Sequence, residues 1–264
     1  MRLILHADDF GLSEDSYRAT VECFERGVLT SASIMPLMPF SGAAIQYAKD
    51  HPQHSYGAHL TFARDTVERP VSESSRIPHL LDSDGNFTNS NVIRVRALRR
   101  QIPPAEIECE TRAQLGYFRD HGLALSHVDT HGHMHKFGLF REAIAQVLPH
   151  FAVSRVRTAQ NLFLRPPLLS PTFWLGPYWG WQIRRRFRTT KHFFMLRGNE
   201  GLDSIRWDSP WFNRLIQRCQ GETIEAGFHP GFRGWNDVER RFLIRFAEDT
   251  RQRSIKLITW KDIS

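Results

Sequence analysis

The sequence predicts an α/β fold, a TIM-like (β/α) barrel of about seven or eight strands with room for distortion. Short β-rich runs alternate with amphipathic helical patterns from one end to the other, the pattern of βα units around a parallel sheet. The runs are numerous enough to close a barrel. Side chains that bind metals or move protons gather where several of the runs end.

Leu3 to His6 reads as the first strand, and Ser13 as the N-cap of a helix whose Tyr17, Val21, Phe24 and Val28 recur on one face. Leu29 to Met38 and Tyr56 to Phe62 are further strands, with a helix over Ala43 to Ala48 between them. Ile107 to Phe118 is helical and Leu125 to Asp129 extended. Phe140, Ile144, Val147 and Leu148 mark the next helix face, which Pro149 ends. Ser154 to Arg157 and Phe193 to Leu196 read as strands, and Ser209-Pro210 as a cap before a helix carrying Trp211, Leu215 and Cys219. Ile224 to Phe228 and Ile255 to Thr259 are the last strands, separated by a helix with Val238, Phe242 and Phe246 on one face.

A chain of 264 residues suits one barrel domain over 1–264, with a Pro-, Ser-, Asp- and Asn-rich loop insertion near 64–91 and an aromatic and basic insertion near 160–192. Its composition, 41% hydrophobic with 24% charged, is that of a folded globular protein and excludes disordered and fibrous classes. Leu3 meets Asp8 and Asp9 at once, which gives neither a signal peptide nor a membrane span, so the expected location is cytoplasmic. Cys23, Cys109 and Cys219 lack paired spacing and are expected as reduced thiols. The net charge of +7 is ordinary for a soluble enzyme and is concentrated only at Arg184 to Arg188 and Lys191.

In a parallel barrel the C-terminal strand ends share one face, so Asp8 and Asp9, His59, His131 and His229 converge although they are far apart in sequence. Each piece alone has a plain reading. A DD pair is more often a turn, His59 between Ala58 and Leu60 is a satisfied core histidine, and His229 before Pro230-Gly231 is a turn residue. The run His127-Val128-Asp129-Thr130-His131-Gly132-His133-Met134-His135 is stronger. If it is extended, five metal- or proton-binding side chains point to one side, a costly arrangement for mere packing. Asp9-Phe10-Gly11 echoes a kinase motif, but no glycine-rich phosphate loop accompanies it, and Asp82 to Asn86 lacks the glycine and glutamate of a calcium loop.

With these residues in view, the sequence resembles the YdjC-like carbohydrate deacetylases, a group that includes chitooligosaccharide deacetylases and hopanoid-associated relatives. The resemblance lies in His6-Ala7-Asp8-Asp9-Phe10-Gly11, Gly57-Ala58-His59-Leu60, His127 to His131 with its trailing histidines, and Phe228-His229-Pro230. It implies one divalent metal ion, Mg or Zn, held by Asp9, His59 and His131, with Asp8 as the base and His229 as the acid. A metal with two imidazoles and one carboxylate keeps open positions for water and an amide oxygen. His127 and Asp129 are then expected behind the ligands, orienting them. Arg157 is placed at the substrate, with a surface salt bridge as its simpler reading. Gly132 interrupts a run of histidines that relatives often carry, which leaves His133 and His135 without an assigned role.

The implied activity is metal-dependent removal of an acetyl group from an N-acetylated sugar, an oligosaccharide or a lipid-linked glycan. The expected partners are that sugar, peripheral contact with a lipid-linked substrate and a homo-oligomer, with no nucleic acid. One alternative is another barrel metallohydrolase, an amidohydrolase or phosphoesterase, because His131-Gly132-His133 is an HxH element. Those enzymes usually carry it on the first strand, which here ends in Asp8-Asp9. A second alternative is a non-catalytic module binding anionic lipid or nucleic acid through Phe173, Trp174, Tyr178, Trp179, Trp181 and Arg184 to Arg188. That segment is expected instead as a lid or rim beside the site.

Overall fold

The computed structural model describes residues 1–163, 167–195, 213–214, 217–250 and 255–264. The chain runs β1 (Arg2–Phe10), α1 (Glu14–Glu25), β2 (Ser31–Ile34), α2 (Ser41–Asp50), β3 (Ser55–Leu60), α3 (Ser90–Leu98), α4 (Pro104–Asp120), β4 (Val128–Thr130), α5 (Gly138–Val147), α6 (Pro171–Arg184), β5 (His192–Met195), β6 (Thr223–Phe228), α7 (Gly234–Thr250) and β7 (Lys256–Leu257). The helix expected from Ser209-Pro210 through Trp211 and Leu215 lies outside the described residues, and so does Leu196.

The strands pair in parallel, in the order β4-β3-β2-β1-β6-β5, with β7 against the start of β1. Among the described residues the continuous path is a half-barrel of six strands, β7 is a seventh strand off that path, and the full TIM-like barrel expected from the sequence is not seen to close. Ser154 to Arg157, expected as a strand, makes only isolated bridges, Val128 to Val156 and Arg155 to Arg188, and Leu162 bridges Phe194 further on. Each of these pairings is one residue long, so it links the outer strands β4 and β5 without extending a ladder. β2 and β3 are buried throughout and β1 nearly so, with Leu3, Ile4, Leu5 and Ala7 in the core.

Local chemistry sets most element ends. Ser13 caps α1 through a capping box with Ser16. α4 begins with proline in its first turn. The 64–91 stretch is packed rather than loose: Ile77, Leu80 and Phe87 are buried, and Asn89 caps α3. The aromatic and basic segment contains a helix, α6, which periodicity did not reveal because its buried positions are Gly176, Gly180 and Ile183.

Gly57 on β3 marks the tightest approach in the sheet core, since a Cβ there would stand 2.5 Å from the His127 ring. Gly57→Ala is therefore expected to lower the unfolding free energy by about 1–3 kcal/mol in a urea titration. An unchanged midpoint would mean that the His127 ring has room to move.

Candidate functional site

β1 positions two aspartates in succession. Neighbours on a regular strand face opposite sides, but the β1–β2 register shifts between Ala7 and Phe10, and Asp9 has φ 57°. A left-handed non-glycine residue in a bulge is strained by about 1–2 kcal/mol and re-aims its side chain. Asp8 and Asp9 thus both enter the site, and Phe10 returns to the core, stacked on Tyr17.

Asp9 faces two imidazoles. Its Oδ1 lies 3.2 Å from His59 Nε2 on β3 and 3.6 Å from His131 Nδ1 just after β4. The ligand atoms of all three residues lie within 4.8 Å of one another. Asp9 Oδ1 is buried and makes no well-formed hydrogen bond to either ring. An orphaned carboxylate oxygen facing two ring nitrogens is the donor set of a divalent cation site, and these residues fit one.

Each imidazole is held from behind by a second carboxylate. His59 Nδ1 lies 2.9 Å from Asp129 Oδ1, its register partner on β4, and His131 Nε2 lies 3.0 Å from Asp65 Oδ2. Asp65 belongs to the 64–91 stretch and is fixed there, accepting from the Ser90 backbone N–H. Glu68 in turn accepts the backbone N–H of Asp65. Burial disfavours a charged His59, but the Asp129 charge and hydrogen bond outweigh it and hold the pKa well above the usual imidazole range. Burial acts the same way on His131, which the Asp65 hydrogen bond and the nearby Asp9 carboxylate nevertheless raise to about 9.

Beneath this cluster Arg157 is fully buried, and its donors are spent on carboxylates. Nη1 and Nη2 each lie 2.7 Å from an oxygen of Asp8, Nη1 lies 2.7 Å from Asp129 Oδ2, and Nε and Nη2 reach Glu225 Oε1 at 3.0 and 2.8 Å. The residue expected at the substrate, or else in a surface salt bridge, is neither: it is an internal cation. Burial pushes the Glu225 carboxyl up to about 7 despite Arg157, and its Oε2 has no partner. His6 lies beside this group, with Nδ1 2.9 Å from Ser31 Oγ and Nε2 3.1 Å from Ser33 Oγ. Burial and the Arg157 charge keep its pKa well below the usual range. Ser33 Oγ lies 3.1 Å from both His59 Nδ1 and Asp129 Oδ2, which joins the two halves of the site.

His229 follows β6 where the chain turns through Pro230. Its backbone N–H donates to Glu239 Oε2 at 2.5 Å, its Nδ1 lies 3.4 Å from the same oxygen, and its Nε2 lies 3.9 Å from Asp8 Oδ2. Burial works against a charged ring, but the adjacent Glu239 carboxylate prevails and raises its pKa to about 9. The imidazole therefore carries a proton at neutral pH.

Asp8, Asp9, His59, Asp129, His131 and His229 thus come together as expected. The alternating run does not stay extended: β4 stops at Thr130, and Gly132 and His133 adopt left-handed φ of 61° and 55°. His127 lies upstream of that break, bonded to Ser126 and stacked on Trp260, with its ring centroid 4.7 Å from the indole and 5.1 Å from the His6 ring. It is a packing residue rather than the expected orienting one. His135 folds back on Thr130 Oγ1 at 2.8 Å, and His133 lines a cavity of about 540 Å³ with Arg94, Lys136, Phe137, Leu175 and Trp179. Sequence reading gave no role to His6, Asp65, Glu225 or Glu239. His6 opens the first motif and Glu225 lies on the strand that leads to His229, while Asp65 and Glu239 carried no local signal.

A half-barrel with histidines and carboxylates at the C-terminal ends of its parallel strands defines the class: an α/β protein with a buried candidate metal centre. The chain belongs to the YdjC-like protein family, whose profile matches residues 2–260. A carbohydrate deacetylase of Brevibacillus brevis is 41% identical over 135 residues, 51% of this chain and 50% of that one, so the match spans half the length of that relative. A carbohydrate deacetylase of Geobacillus stearothermophilus is 34% identical over 232 residues, 87% of this chain and 79% of that one. A crystal structure from Enterococcus faecalis V583, of a proposed cellobiose-phosphate cleavage protein, shares the fold with TM-score 0.78 at 21% identity, covering 98% of this chain and 97% of that one.

Removing the guanidinium would leave Asp8 and Asp129 as buried charges without their main counter-ion. Arg157→Met is expected to cost about 3–5 kcal/mol in chemical denaturation. A loss below about 1 kcal/mol would show that the carboxylates are compensated by other groups.

Proposed function

We propose that this protein is a metal-dependent hydrolase that removes the acetyl group from an N-acetylated sugar. The observation that carries the reading is the convergence of Asp9, His59 and His131 beside the Asp8 and His229 pair. Membership of the YdjC-like family and the names of its relatives support the same activity. A divalent ion, Mg or Zn, held by Asp9, His59 and His131 would supply a Lewis acid for the amide oxygen and lower the pKa of an attacking water.

The chain's own residues do the rest. Asp8 accepts the proton of the attacking water, with both its oxygens oriented by Arg157. His229, kept protonated by Glu239, donates its proton to the sugar nitrogen as the C–N bond breaks, which converts a poor leaving group into a neutral amine. Acetate and the free amino sugar are the products. Asp129 and Asp65 fix the ring orientations of His59 and His131. The remainder of the sugar occupies the cavity beside His133, where Trp179 and Phe137 offer apolar faces and Arg94 and Lys136 offer cations. These cations suit a lipid-linked or phosphorylated glycan.

Acetate release from N-acetylated mono-, oligo- and lipid-linked sugars tests the reading. Metal-stripped protein is expected to be inactive and to recover with Mg or Zn, and Asp9→Ala to lower kcat/KM by a factor on the order of 10³. Phosphate release in place of acetate would favour a phosphoesterase, and activity that survives metal removal would end the proposal. Asp129→Asn is expected to weaken metal binding about 10- to 100-fold in calorimetry.

The pH profile has a definite sign. His229 works as an acid only while protonated, so activity is retained below its raised pKa of about 9 and is lost as pH rises through it. Glu239→Gln removes the raising partner, so the alkaline limb moves toward the ordinary imidazole value near 6.5. An alkaline limb left in place by that substitution would exclude His229 as the acid.

A further inference from the structure

We propose that the outer face of α6, with the turn before it and the arginines after it, docks on the surface of an anionic phospholipid bilayer. The helix is turned inside out relative to an ordinary amphipathic helix. Its inner side is nearly bare: a Cβ on Gly176 would stand 2.5 Å from the Gln160 carbonyl oxygen, and one on Gly180 3.2 Å from Thr158 Oγ1. Two glycines and Ile183 seat the helix, so most of its large residues point outward. Trp174, Tyr178 and Trp181 form one stripe and are 63%, 56% and 45% exposed, and Leu168 and Leu169 project from the preceding turn.

Soluble proteins seldom leave a contiguous patch of this kind in water without a partner. Its chemistry selects the partner. Indole and phenol rings combine an apolar body with a polar tip, the combination that settles at the headgroup level of a bilayer. The stripe runs into Arg184 and Arg185, and the Arg185 guanidinium lies 4.8 Å from the Trp181 ring centroid. Arg186 is turned aside to Glu142 Oε2 at 2.7 Å. No aspartate or glutamate occurs in the sequence between Glu142 and Glu200, while Arg184, Arg185 and Arg188 fall in the same stretch. Apolar rings beside an excess of cations match an anionic headgroup layer, where each cation adds attraction that salt screens. An acid-bearing protein groove would match the arginines but not three ring systems spread over a convex helix.

The placement has a functional sense. Leu175 and Trp179 of the same helix wall the cavity that opens beside His133. A bilayer under α6 would therefore lie at the rim of the site. Docking itself does not depend on the chemistry proposed above and is read without turnover.

The test is flotation of the full chain with vesicles of phosphatidylcholine alone or mixed with phosphatidylglycerol, at low and high salt. Binding to the anionic vesicles is expected at least about tenfold above the neutral ones and to weaken with salt. The combined variant Trp174→Ser, Tyr178→Ser, Trp181→Ser is expected to lose vesicle binding at least about tenfold while keeping the wild-type thermal melt. Arg184→Ser with Arg185→Ser is expected to lose only the preference for anionic lipid. The proposal is overturned if wild type ignores both vesicles, if the aromatic variant binds as wild type does, or if single-stranded RNA displaces the protein from vesicles and requires the same residues. It is equally overturned if wild type is a dimer in solution that the aromatic variant splits. Loss of acetate release with vesicle binding intact would count against the deacetylase reading alone.

Discussion

One buried guanidinium holds the site together. Arg157 accompanies three carboxylates that come from three strands, Asp8 on β1, Asp129 on β4 and Glu225 on β6. In a low-dielectric interior three negative charges would repel one another strongly, and a single cation does not neutralise them all. The burden is relieved at Glu225, whose carboxyl is pushed up to about 7 and holds a proton more readily than an exposed glutamate would. Planar and multiply donating, arginine can face all three at once, which lysine could not. The Phe193 ring centroid lies 4.7 Å from the guanidinium carbon and closes the remaining side.

That cation sets what the two aspartates can do. Asp8 is held by both oxygens, while Asp9, one residue on, is rotated away by the bulge and left to the imidazoles. A regular strand would have sent one of the pair to the opposite face of the sheet. The strain at Asp9 is of the kind that persists where surrounding structure over-determines it, and here the sheet on one side and the Gly11 turn on the other supply that constraint. Two adjacent carboxylates thereby acquire separate surroundings and separate roles.

A second regularity is that each histidine assigned to metal or proton chemistry has an acidic partner behind its ring. Asp129 stands behind His59, Asp65 behind His131 and Glu239 behind His229. These partners fix ring orientation and raise basicity. By contrast His6 and His135 hydrogen bond to hydroxyls of serine or threonine, and burial and the Arg157 charge lower both pKa values although Asp8 lies 3.4 Å from the His6 ring. The same residue type thus serves as candidate ligand, acid or packing element according to the groups that hydrogen bond to it and to its distance from the Arg157 charge.

By itself the sequence determined the alternation of strands and helices and the clustering of Asp8, Asp9, His59, Asp129, His131 and His229, because parallel strands deliver their C-terminal ends to one face. It also pointed to Ser13 as a cap, a matter of four neighbouring residues. Only the tertiary structure decided that Arg157 points inward, that His127 packs on Trp260 and that Asp65 and Glu239 stand behind their histidines. It likewise decided that, among the described residues, six strands form the continuous path of the sheet. Each of these depends on the distance between elements far apart in the chain, whereas periodicity and capping report only on residues within a turn or two of one another. The run after Thr130 failed for a related reason: alternation fixes a common side only while the backbone stays extended, and Gly132 ends that.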